Sequence, residues 1–339
     1  MQNLQVTLKQ VQEHIPALIK AKVVPFIHGS PAVGKSSIVK AVADEFKLKL
    51  IDVRLSQLDP TDLCGFPTFN EEKVKYKPVD LFPIEGDEIP KGYNGWLIFL
   101  DEANGASHAV QMAAYRLILD REVGNHKLHP KVALVAAGNL ETDGAIVNTM
   151  SSALISRFAH FNVRLDKKEW LEWASSNDID YRITSFLGFK GDLLYTFKPE
   201  ATEAYASPRT WHMLSRVIKD NQVNDKDIAL LASMVGEGVA REFIAYTKLY
   251  KDLITYDAIV ANPDTAPIPS NLGTQWATMS MITSEVDGKT ANEASIYLER
   301  LGMELQVCAM REIKNRKGID FLKQDMRSWF NKTAKEVFA

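Results

Sequence analysis

Gly29-Ser30-Pro31-Ala32-Val33-Gly34-Lys35-Ser36 fits the pattern GxxxxGK followed by Ser or Thr at every fixed position. The chemistry of phosphate binding explains each of those positions. Glycines let successive backbone N–H groups turn inward around an anion, a lysine reaches the β- and γ-phosphates, and a hydroxyl is set for Mg²⁺ at a helix N-terminus. The flanks agree with this reading. Lys22–His28 is a short, apolar, β-branched run expected to be a buried strand, and 36–47 carries helical spacing. The expected ligands are the phosphates of a nucleotide and Mg²⁺. The expected binding residues are Gly29, Ser30, Pro31, Ala32, Val33, Gly34, Lys35, Ser36 and Ser37, with the Ser36 hydroxyl on the metal.

Working outward, residues 1–20 place Leu4, Leu8, Val11, Ile15, Leu18 and Ile19 at helical spacing. Beyond the loop the pattern alternates: strand 49–54, strand 96–100, helix 106–120, strand 132–137 and strand 158–165. Uniformly apolar strands separated by helices predict an α/β fold with a mostly parallel sheet covered on both faces. After Asp166 no strand pattern follows and helical spacing dominates, so the second half is expected to be all-α. Asn262–Asn271 (NPDTAPIPSN) holds three prolines, which forbid regular helix and predict a connector between two helical groups.

The chain has 339 residues, enough for two or three domains. Its formal charge of -3 advertises no polyanion partner. Cys64 and Cys308 lie far apart and form no metal-ligand spacing, which fits a reducing compartment. The apolar runs Trp96–Leu100 and Val132–Ala137 are far too short to cross a membrane, and the expected location is cytoplasmic.

Trp96-Leu97-Ile98-Phe99-Leu100-Asp101-Glu102 is an apolar strand ending in two adjacent carboxylates. Beside a phosphate loop, Asp101 is expected to hold the Mg²⁺ shell and Glu102 to polarise the attacking water, since phosphoryl transfer depends on positioning and electrostatics. Ser207-Pro208-Arg209 reads as a helix start, with Ser207 as N-cap and Pro208 in the first turn. Arg209 there opposes the helix dipole and needs an anionic partner.

With these motifs in this order the sequence resembles the AAA+ ATPases. The resemblance implies a three-layer P-loop NTPase core with strand 132–137 between the strands bearing the loop and the carboxylates. It makes the expected nucleotide ATP and places Asn139 at the first sensor position beside the γ-phosphate. Ser152-Ala153-Leu154-Ile155-Ser156-Arg157-Phe158 is similar to the segment carrying the arginine finger, so Arg157 would act on a neighbouring subunit's nucleotide, with Arg116 and Arg121 as lesser candidates. Arg209 would be the second sensor, presented by a helical lid. The implied catalytic set is Glu102, Lys35, Asn139, Arg157 and Arg209, with Ser36 and Asp101 on the metal.

Two insertions narrow the resemblance. Leu63–Phe69, a polar turn at Asn70–Lys73 and Val74–Pro78 predict one hairpin; Arg121–Leu128 predicts a second. Hairpins in these places, with the wording LDPTDLCGF…WLIFLDEANGASHAVQMAAYRLILDREVG, are similar to MoxR-type members of the helix-2-insert branch. Ser30 and Ala32 stand where relatives often carry Pro-Gly. The implied domains are an α/β core over 1–165, an all-α lid over 166–235 and a helical C-terminal extension over 236–339. The implied assembly is a ring of identical subunits, a hexamer, that remodels protein clients with a partner bearing a von Willebrand factor A domain. A nucleic-acid motor or loader is the alternative from another class, and a nucleotide-gated scaffold the third.

Three smaller features complete the reading. His126 and His129 have no third ligand nearby and read as surface histidines. Phe66, Phe69 and Tyr76 either grip a threaded chain, stack on bases or pack the hairpin base against the core. The mild basic bias from Arg311 to Glu336 reads as a solvated helix face.

Overall fold

The computed structural model describes residues 4–70, 73–144, 148–249 and 253–338. They divide into two compact units, the first running to Asp166 and including Lys198–Glu200, the second taking up the rest from Lys167.

The first unit runs β1 (Gln5–Val6), α1 (Leu8–Lys20), β2 (Val24–His28), α2 (Lys35–Glu45), β3 (Leu48–Arg54), α3 (Pro60–Cys64), β4 (Phe66–Asn70), β5 (Lys73–Lys77), β6 (Gly95–Asp101), α4 (His108–Leu119), β7 (Glu122–Val123), β8 (His126–Lys127), β9 (Val132–Gly138), α5 (Ser152–Ile155) and β10 (Phe158–Val163). Six strands form one parallel sheet in the order β1-β10-β2-β9-β6-β3. β9 therefore lies between β2 and β6, as the resemblance implied.

Alternation along the strands sorts their side chains into two cores. Ile98 and Leu100 of β6 join Phe26, Leu134 and Ala136 against α4. Leu97 and Phe99 join Ile27, Val135 and Ala137 against Val11 and Ile15 of α1 and Val39 of α2. The sheet is covered on both faces, which is why its strands are apolar throughout. Each fully buried Leu, Ile or Phe contributes about 1.5–3 kcal/mol.

One element differs from the periodicity. The first helix begins only at Leu8, because Thr7 and Gln10 form a capping box: the Gln10 N–H donates to Thr7 Oγ1 at 3.3 Å, and the Thr7 N–H donates to Gln10 Oε1 at 2.9 Å. Residues before the cap are free to extend, and Gln5–Val6 pair with Asn162–Val163 at the sheet edge. Leu4 precedes this edge strand and is exposed. Both hairpins form, β4 with β5 and β7 with β8. Glu71 and Glu72 of the first turn lie outside the described residues.

The second unit is helical: α6 (Lys167–Ser176), α7 (Tyr181–Phe189), α8 (Pro208–Ile218), α9 (Ile228–Val235), α10 (Glu237–Lys248), α11 (Tyr256–Ala261), α12 (Leu272–Glu285), α13 (Ala291–Glu299), α14 (Met303–Lys317), α15 (Ile319–Gln324) and α16 (Arg327–Phe338). It contains no strand among the described residues. Phe186 of α7 and Trp211 of α8 meet Phe243 of α10 with ring centroids 5.3 and 5.7 Å from it. The proline-rich connector leaves the helical pattern as expected and is docked by its carbonyls: Tyr297 donates to Pro267 and Arg300 to Pro263. No helix among the described residues is long and apolar enough to cross a membrane.

Candidate functional site

β2 stops at His28, and the chain turns through the loop before entering α2. Ala32 and Gly34 adopt left-handed conformations, with φ of 60° and 113°. That geometry suits Gly34 and costs Ala32 about 1 kcal/mol. Gly34 is the N-cap of α2 and has no side chain to cap it. The Ser37 N–H turns back onto the Gly34 carbonyl at 3.0 Å, and no side chain caps the start of α2, the arrangement in which a helix N-terminus can receive an anion.

Lys35 is the first residue of α2, and its ammonium is turned back into the loop. Nζ donates to the carbonyls of Gly29 and Ser30, at 2.6 and 3.0 Å, and to Asn139 Oδ1 at 3.1 Å. A buried cation demands such a shell. Asn139 reaches this point because it follows β9 directly. Asn104 fixes its backbone by two bonds: the Asn139 N–H donates to Asn104 Oδ1 at 3.1 Å, and Asn104 Nδ2 donates to the Asn139 carbonyl at 2.8 Å. The approach needs Gly138, where a Cβ would stand 2.3 Å from Asn104 Oδ1 and 2.8 Å from Phe26 Cζ. Sequence reasoning gave Asn104 no role. A polar residue two positions beyond the carboxylates, followed by Gly105, was the available signal.

The carboxylates stand at the end of β6. The Ser36 hydroxyl donates to Asp101 Oδ2 at 3.4 Å, and the Glu102 N–H donates to Asp101 Oδ1 at 2.9 Å. Burial raises the Asp101 carboxyl above its ordinary value, with that N–H and the Lys35 charge pulling the other way. Glu102 turns the chain at a φ of 54°. Its carboxylate accepts a hydrogen bond from Ser56, in the turn after β3. Ser56 is a second partner that the sequence pattern did not disclose. Ser36 and Asp101 present two hard oxygens at short range, and a buried carboxylate with a raised pKa is stabilised by a nearby cation. Both features suit Mg²⁺, which keeps most of its shell as water and phosphate.

The arginines are dispersed. Arg157 lies just before β10, whose Phe158 is in register with Val24 at the start of β2. It therefore stands at the amino end of the sheet, whereas its own phosphate loop follows the carboxyl end of β2. Five strand residues separate those ends, about 16 Å. Its guanidinium donates to Ala153 O and Ser156 Oγ at 3.0 and 2.8 Å and lies over the Tyr115 ring. Arg116 pairs with Glu122 at 2.9 Å. Arg121 donates to the carbonyls of Val132 and Lys22 at 3.3 and 3.4 Å. Arg209 is exposed in the first turn of α8, which Ser207 caps through the Thr210 N–H and Pro208 opens.

On the first hairpin Phe66, Phe69 and Tyr76 are 54%, 83% and 44% exposed, so they are not buried in the core. His126 contacts the Tyr76 carbonyl at 3.2 Å. His129 Nδ1 accepts from the Lys131 N–H at 3.0 Å, with its ring against Trp96.

Residues 25–158, from β2 to the first residue of β10, match the family described as AAA domain (dynein-related subfamily). That stretch, which holds the phosphate loop and the Asp101-Glu102 pair, is thus similar to an AAA domain. Among solved structures, an inferred ATPase from Cytophaga hutchinsonii is 15% identical, with 98% of this chain and 90% of that one covered and a TM-score of 0.38. NtrX from Brucella abortus in complex with ATP is 13% identical over 99% of this chain and 69% of that one, with a TM-score of 0.41. A RuvB variant from Thermotoga maritima is 15% identical over 96% and 85%, at 0.34.

Proposed function

We propose that the chain is a Mg²⁺-dependent ATP hydrolase of MoxR type, working in a ring, that remodels or assembles protein clients with a partner bearing a von Willebrand factor A domain. The grouping of Lys35, Asn139, Ser36, Asp101 and Glu102 at the carboxyl ends of β2, β9 and β6 carries the catalytic part of this reading.

Lys35 and the first-turn N–H groups of α2 hold the triphosphate by charge and hydrogen bonding. Ser36 and Asp101 hold the metal, which when bound neutralises charge on the β- and γ-phosphates. Glu102 orients and polarises the attacking water, its carboxylate kept in place by Ser56. Asn139, linked to Lys35, senses the γ-phosphate end of the site. Arg209 serves as the second nucleotide sensor, and Arg157 as a finger acting in trans. The separation of Arg157 from its own loop along β2 favours a neighbour's nucleotide over its own.

The choice of a protein client rests on the formal charge of -3 and on the three exposed hairpin aromatics. A nucleic-acid motor would instead neutralise several phosphates, and its binding would fall steeply with salt. Adding single- or double-stranded DNA at low salt is expected to leave the ATPase rate of the full chain unchanged. Strong stimulation that fades between about 50 and 200 mM salt would replace the protein client with nucleic acid.

A further inference from the structure

At the amino end of the sheet, remote from the phosphate loop, the first unit contains a cavity of about 600 Å³. That volume is in the range of small-molecule sites. Its apolar wall includes Ile19 of α1, Phe46 after α2, Leu48 of β3, Pro130 and Val132. Phe46 is 40% exposed, an aromatic side chain left unburied at a concave surface. Against this wall stand five cationic side chains, Lys20, Lys22, Arg121, Lys127 and Lys131, and only two carboxylates, Glu85 and Asp120.

The cations are poorly compensated. All four lysines are exposed, and none forms an ion pair among the described residues. Arg121 is the fixed member. Its backbone holds a φ of 58°, and its guanidinium is bonded to the carbonyls of Val132, which begins β9, and Lys22, two residues before β2, with no carboxylate among its bonds. Burial pushes that guanidinium below its ordinary value, which an anion nearby would reverse. An excess of positive charge over an apolar wall discriminates two ligand features at once: the wall selects a flat or branched apolar body, and the rim selects a negative group.

We propose that this cavity is a binding site for a small organic anion with an apolar body and a single acidic group, a carboxylate, sulfonate or phosphate. The site is separate from the phosphate loop and does not depend on the reading of the client.

The probe is 8-anilinonaphthalene-1-sulfonate, which joins fused and single aromatic rings to one sulfonate, titrated into the folded full chain and followed by fluorescence. Saturable binding at one site per chain is expected. Reversing Lys127→Glu and Lys131→Glu together should weaken it at least tenfold while ATP turnover stays at the parent rate; Lys20→Glu with Lys22→Glu should do the same, which guards against misfolding of either pair. N-phenyl-1-naphthylamine, with the same rings and no sulfonate, should bind at least tenfold more weakly. Lys35→Ala should leave the probe's affinity unchanged. Failure of the wild-type chain to bind the probe would overturn the proposal. So would unchanged affinity in both folded charge-reversal variants, equal binding of the neutral rings, or loss of binding in Lys35→Ala.

Discussion

The two ends of the same parallel sheet treat charge in opposite ways. At the carboxyl end the chain supplies partners for its own polar groups: Lys35 rests on two carbonyls and Asn139, Asn139 rests on Asn104, and Ser36, Asp101 and Glu102 are linked in turn. At the amino end, four lysines have no ion pair among the described residues and Arg121 has only carbonyls. Arg157 also stands at that end, held by a carbonyl, a hydroxyl and the Tyr115 ring. The contrast separates a prearranged site, which needs little reorganisation during chemistry, from a set of cations that form no ion pair among the described residues.

The sharpest way to break this contrast is through Arg157. If it serves a neighbour's nucleotide, Arg157→Ala and Glu102→Gln chains are each inactive alone but complement each other in mixed rings. With equal input and free exchange, about a quarter of the interfaces would pair an intact Glu102 with an intact Arg157. Recovery well above both parents is the expected outcome of an ATPase assay on the mixture. Background activity from subunits shown to exchange would remove the trans role.

The dependence of the carboxyl end on close packing is tested at Gly138. Gly138→Ala puts a Cβ into Asn104 and Phe26, neither of which can retreat without disturbing Asn139 or the core. A loss of about 1–3 kcal/mol is expected in urea denaturation, with a fall in ATP turnover. An unchanged midpoint and rate would mean that the Asn104 clasp has slack.

A smaller effect concerns His28, which closes β2 before the loop. The ring of His160 points Nε2 at the Ile155 carbonyl, 2.8 Å away, so its Nδ1 accepts from His28 Nε2 at 2.8 Å. Burial first, then His160 and Lys35, lower the His28 pKa from 6.5 to about 4. Between those values the unfolded chain takes up a proton that the folded chain refuses. Stability therefore falls as the pH drops from 6.5 towards 4, by roughly 2 kcal/mol once partial exposure is allowed for. In His28→Gln that share of the acid slope should disappear; an identical slope in the variant would show that other groups set it.

The sequence disclosed linear features well and convergent ones poorly. The loop from Gly29 to Ser36 and the strand ending in Asp101-Glu102 are contiguous, and burial on both faces left the strands apolar enough to be recognised, while the place of β9 between β2 and β6 came from the resemblance. β1 was missed because two residues carry no periodicity; only the Thr7 cap reveals that the chain is extended before it. Asn104 and Ser56 act across strand ends, on Asn139 and Glu102, so their roles depend on the order β9-β6-β3 rather than on neighbours in sequence. The amino-end cavity draws on α1, the turns after α2 and α4, and the starts of β3 and β9. No window of sequence contains it.

The most direct measurement of the central claim sets ATP binding beside hydrolysis in two variants. Lys35→Ala removes the ammonium that the loop carbonyls and Asn139 hold and should lose ATP binding, whereas Glu102→Gln leaves the loop and Lys35 intact. The account predicts that Glu102→Gln binds ATP as tightly as the parent chain and hydrolyses it at least about a hundredfold more slowly. Hydrolysis at the parent rate by Glu102→Gln would contradict it.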